Sequence, residues 1–80
     1  MTNIVYQLVE AYRGIDGELD LQSNLYDLKE KAVTEMNEKM ELVRQTYEIA
    51  FVSIDKNVYG QLEDRLGNRY EFYLNKKEVM

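Results

Sequence analysis

Asp16, Glu18 and Asp20 place three carboxylates within five positions of the stretch GIDGELDLQSN, residues 14–24. Acids alternating in this way open a calcium loop, which takes ligands at its first, third and fifth positions, glycine at the sixth for a sharp turn, and a bidentate Glu at the twelfth. Here the sixth position is Leu21 and the twelfth is Asp27, one methylene shorter than Glu. The pattern therefore fits a cation poorly, and no metal is expected. Two readings remain. The acids form a solvated connection whose charges favour the start of a following helix, or they form an acidic surface that meets a partner.

Absences restrict the chemistry further. The chain has no His and no Cys. Without them the usual nucleophilic triads and zinc sites cannot be assembled. Catalysis would fall to Asp, Glu, Lys, Tyr and Ser/Thr, in a chain of 80 residues that can enclose little pocket. The expectation is a non-enzymatic protein without a cofactor. Fifteen acids against ten bases give a net charge of −5. That balance disfavours direct binding to a phosphate backbone and favours a protein partner with a basic surface.

Tyrosine is the second feature. Seven tyrosines outnumber two phenylalanines, and there is no Trp. Tyr joins a large apolar ring to a polar tip, which suits a surface that is wet when free and buried when bound. The same property also lets Tyr seal the rim of a small core.

These groups need elements to hold them. Ile4, Val5, Leu8, Val9 and Tyr12 recur at helical spacing. With Thr2 or Asn3 as cap and Gly14 at the C-terminal end, they predict a helix over about 3–13. GIDGELDLQS follows as a loop. Leu25, Leu28, Ala32, Met36, Met40, Val43 and Tyr47 step by three and four and predict a second helix over about 24–46. Ser23 or Asn24 would cap it, and Asp27–Lys31 and Glu35–Lys39 would pair along it. The Met36/Met40 stripe reads as core.

After Gln45, β-branched and aromatic residues predominate. TYEIAFVSI, VYGQLE and RYEFYL predict strands over about 47–54, 58–63 and 69–74. Asp55-Lys56-Asn57 and DRLGN would be the turns. Val58, Gly60, Leu62, Tyr70, Phe72 and Leu74 would face inward. Tyr59, Gln61, Glu63, Arg69, Glu71 and Tyr73 would face outward. The expected fold is α+β: two N-terminal helices packed on a C-terminal three-stranded antiparallel meander, in a single domain spanning 1–80. The rival is one helix running from 24 to beyond 54, since Met36, Met40, Val43, Tyr47, Ala50, Ile54 and Asn57 keep the helical spacing.

There is no run of ~18 apolar residues, and MTNIVYQLVEAY lacks a basic region ahead of a continuous apolar core. The expectation is a cytoplasmic protein that does not contact membrane. The partner-binding candidates are Asp16, Glu18, Asp20, Glu30, Glu38, Glu41, Tyr59, Glu63, Asp64, Arg69, Glu71 and Tyr73. Acids spread over a small rigid body can imitate the phosphates of nucleic acid. In size and composition the chain resembles the small acidic inhibitors made by phages and other mobile elements against nucleases. That resemblance implies a protein that occupies a basic, nucleic-acid-binding surface of another protein. The alternative is an assembly protein, a homodimer joined through the helix over 24–46.

Overall fold

In the computed structural model, residues 3–55 and 58–79 are described, Val79 by its backbone alone. The order is β1 (Asn3–Arg13), β2 (Leu19–Tyr26), α1 (Lys29–Thr46), β3 (Ile49–Asp55), β4 (Tyr59–Asp64) and β5 (Arg69–Val79). All five strands form one antiparallel sheet in the order β2-β1-β5-β4-β3. The helix lies on one face of the sheet. The other face has no layer over it among the described residues.

The expected two helices on a three-stranded meander are overturned. Residues 3–13 are a strand, not a helix. NIVYQLVEAYR carries apolar residues on both sides, with Tyr6, Leu8 and Tyr12 toward α1 and Val5, Val9 and Ala11 away from it. A strand in the middle of a sheet can be apolar on both faces, and such a run also satisfies helical spacing. Its Ile, Val and Tyr content favours the extended form. Gly14 is accordingly a turn residue and not a helix cap.

The predicted helix over 24–46 is shorter, beginning at Lys29. LDLQSNLY, which was expected to be part loop and part helix, is β2, with Leu19, Leu21 and Leu25 on one side at period two. Ser23 and Asn24 therefore lie inside a strand. Leu28 precedes the helix without a side-chain cap. The expected ion pairs do form, Lys31–Asp27 at 3.0 Å and Lys39–Glu35 at 3.9 Å.

The C-terminal half forms the three expected strands, but Val58, expected inward, is exposed ahead of β4, and β5 runs to Val79, beyond the expected 74. The helix ends before Tyr47, so the single-helix rival fails and β3 is a strand. In the β4–β5 ladder Gly60 opposes Phe72 and Leu62 opposes Tyr70, both pairs on the helix side. The turn at Asp55-Lys56-Asn57 falls partly outside the described residues.

The core lies where α1 crosses β1, β5 and β4. Ala32, Met36 and Met40 from the helix are buried against Leu8, Leu62, Tyr70, Phe72 and Leu74. The methionine stripe is therefore used up inside the chain. Eighteen residues give α1 a length of ~27 Å. It starts beyond the end of β2 and returns toward the end of the sheet that holds the β1–β2 and β4–β5 turns, where Tyr47 stacks on Tyr70.

Candidate functional site

Both hairpins at that end use the same turn. Gly14-Ile15-Asp16-Gly17 closes with Gly17 N–H donating to the Gly14 carbonyl at 3.1 Å, and Asp64-Arg65-Leu66-Gly67 closes with Gly67 N–H donating to Asp64 at 3.1 Å. Gly17 and Gly67 sit at φ of 92° and 96°, a left-handed conformation that side chains disfavour and that this kind of hairpin needs. The two turns are tied together by the Ile15 N–H, which donates to Asn68 Oδ1 at 3.0 Å. Two separate segments, GIDG and DRLG, thus form one surface.

Three of the candidate acids lie here. Asp16 accepts a hydrogen bond from the Glu18 N–H at 3.0 Å, which holds its carboxylate at the turn. Glu18 precedes β2, and Asp20 sits on β2 opposite Tyr12, on the helix side. Among the described residues none of the three has an ion-pair partner. The end also carries Glu48, loosely paired with Arg65 at 3.5 Å in full view of solvent. The C-terminus of α1 adds its partial negative charge.

Tyr12 registers the resulting field. Its hydroxyl is pushed above the ordinary tyrosine value first by desolvation, then by the carboxylates of Glu18, Asp16 and Asp64. Tyr12 packs on Tyr70 with centroids 5.2 Å apart, and Tyr70 lies 5.0 Å from Tyr47. Burial raises Tyr70 too, followed by Tyr47 and Asp64. Between this row of rings and β2 runs a groove of about 160 Å³, lined by Glu10, Tyr12, Asp20, Gln22, Val43 and Tyr70 among others. That is well short of the ~300 Å³ at which ordinary metabolite pockets begin, but it has room for one side-chain head. Glu10 Oε2, shut off from solvent, lacks a hydrogen bond. The Lys39 ammonium, 3.3 Å away, shares charge with it without hydrogen-bond geometry. Ile15, Leu66 and Tyr47 are exposed around the same end.

The calcium pattern does not assemble. Asp16, Glu18 and Asp20 are at the turn, whereas Asp27 lies past the far end of β2, on the order of 20 Å along the strand, and is engaged with Lys31. Among the described residues no three His, Cys, Asp or Glu side chains are placed to hold a metal ion.

The other candidates are scattered. Glu30, Glu38 and Glu41 are exposed on α1. The helix carries as many bases as acids, so it presents no phosphate-like field. Tyr59, Glu63, Arg69, Glu71 and Tyr73 lie on the face away from the helix, as expected from alternation. There Tyr59 and Tyr73 pack 5.0 Å apart. Arg69 faces Glu63 at 3.8 Å, and Arg13 is bonded to buried Glu71 at 3.0 Å. Asp64 is buried and internal to its turn, so it is not available to a partner.

Sequence reasoning missed Glu10, Tyr12, Ile15, Gln22, Tyr47, Leu66 and Tyr70 as parts of this end. The repeated turn pattern, two residues between GIDG's glycines and a glycine closing DRLG, is the signal that pairs the segments. Among the described residues no helix is long and apolar enough to cross a membrane. No protein family, curated protein or solved structure matches the chain.

Proposed function

We propose that this is a non-enzymatic binding protein whose two-turn end docks on a basic surface of another protein. One observation carries the reading: unpaired Asp16, Glu18 and Asp20 are gathered beside exposed Ile15, Leu66 and Tyr47 and a tyrosine-walled groove. Acids steer a basic partner from a distance and set its orientation. Aromatic and aliphatic anchors supply the contact once water leaves. The groove takes a single Lys or Arg head from the partner, with Asp20 for its charge and the ring of Tyr12 for its flat face. In its most concrete form the partner is a nucleic-acid-binding protein, and this chain is an inhibitor that stands where phosphates would lie. The acids that act are those of the turn end; the helix acids contribute little.

The test is a titration of isotope-labelled protein with a short arginine-rich peptide, followed by amide shifts. The expected changes cluster at residues 14–22 and around Tyr12, Tyr47 and Tyr70. They weaken steeply with salt and vanish in the Asp16→Asn/Glu18→Gln/Asp20→Asn variant. Shifts spread along α1, or unchanged by the triple substitution, would place any basic contact elsewhere.

A further inference from the structure

The sheet face away from α1 is apolar where the chain's own packing does not need it to be. In β2 the residues on the helix side are Asp20, Gln22, Asn24 and Tyr26, of which only Tyr26 packs on the core, and those on the open side are Leu19, Leu21, Ser23 and Leu25. The strand thus turns its apolar side from the protein's own core, and the three leucines are 52%, 60% and 64% exposed. β1 continues the face with half-buried Val5 and Val9, and with buried Ala11 directly opposite Leu21. Among the described residues nine apolar ones are buried while thirteen large ones remain exposed, so a single copy leaves much of its apolar surface in water.

We infer that a second copy of this chain covers the face, sheet against sheet about a two-fold axis, with Leu21, Leu25 and Val9 near its centre. The charges of the face favour this occupant. Arg13 is satisfied by Glu71 and Arg69 by Glu63 within the chain. The remaining charges that the register places on the face, Lys77 opposite Val5 and Asp55 opposite Tyr59, are of opposite sign, so its charges sum to zero and it is compatible with its own copy. Its size fits as well. At a strand spacing of ~4.8 Å and a rise of ~3.3 Å per residue, the five strands cover on the order of 700 Å², close to the roughly 800 Å² per partner of a standard interface. Two such faces interdigitate at a sheet separation of about 10 Å. The turn end stays free, since Asp20 and the groove lie on the helix side. This inference therefore stands apart from the docking of a basic partner.

Sedimentation and thermal melting across a hundredfold dilution test it. The wild type is expected to be a dimer whose Tm rises with concentration. Leu21→Glu/Leu25→Glu should keep the circular-dichroism spectrum, because both side chains are exposed in one copy. It should weaken dimerisation on the order of a hundredfold or more by burying unpaired charge. Val52→Lys, on edge strand β3, should leave the dimer intact. Since the chain has no cysteine, Ser23→Cys carries one nitroxide on the face, and its spectrum should show immobilisation that is lost on dilution. A wild type that is monomeric at every concentration would overturn the inference. So would a dimer broken by Val52→Lys and not by the leucine substitutions, or a nitroxide that stays mobile in the dimer.

Discussion

Four hydrogen bonds converge on the carboxylate of Asp64. The Leu66 and Asn68 N–H groups donate to Oδ1 at 2.9 and 3.0 Å, and Asn68 Nδ2 and the Tyr70 hydroxyl donate to Oδ2 at 3.0 and 3.3 Å. Burial pushes this carboxyl up, but the donors together outweigh it and hold Asp64 below the usual carboxylate range. A group depressed in the folded state stabilises the fold above the ordinary carboxylate range. That contribution is lost as pH falls through the folded value. The melting temperature should therefore drop between about pH 5 and pH 3. Asp64→Asn turns an amide toward Asn68 Nδ2 and should cost about 2 kcal/mol at neutral pH, with a shallower acid drop. Melts at both pH values check this. An acid drop as steep in the variant as in the wild type would remove Asp64 from the account.

At the scale of elements, alternation was readable and helical spacing was deceptive. The faces of β4 and β5 follow from VYGQLE and RYEFYL, because one side is polar and the period of two is unambiguous. Asp64 reads from sequence like the exposed acids, because its donors come from Leu66, Asn68 and Tyr70 and nothing in DRLGN says that the carboxylate folds back on them. β1 was misread because a strand with two apolar faces has no period to show. The end of β2 is misread because Leu25 and Leu28 extend the spacing of Ala32, Met36 and Met40 backward, although Leu25 belongs to a strand whose leucines face away from the core. The acidic stretch was legible as a surface. Its companions were not, since Tyr47, Leu66 and Tyr70 reach it only through the strand order. The methionine stripe was legible, and it carries the helix. Met36→Ala empties a site of 0% exposure and should cost about 3 kcal/mol in urea unfolding. A loss below about 1 kcal/mol would mean that α1 is not held by this stripe.

At the scale of the molecule, the two proposed contacts divide between an end and a face. The body is elongated, with extents of 47 × 22 × 18 Å. It is only one sheet and one helix thick. Asp16, Glu18 and Asp20, without an ion-pair partner among the described residues, lie at the two-turn end, while Arg13 and Arg69 on the open face pair with Glu71 and Glu63. On the proposed reading, the end meets a basic partner and the face a second copy. The most direct measurement is affinity capture from a bacterial lysate on tagged wild-type protein and on the Asp16→Asn/Glu18→Gln/Asp20→Asn variant, each washed with duplex DNA. The predicted result is a nucleic-acid-binding protein retained by the wild type, released by DNA and absent from the variant. Retention that ignores both DNA and the loss of the three charges, or recovery of nothing but the bait's own copies, would contradict the account.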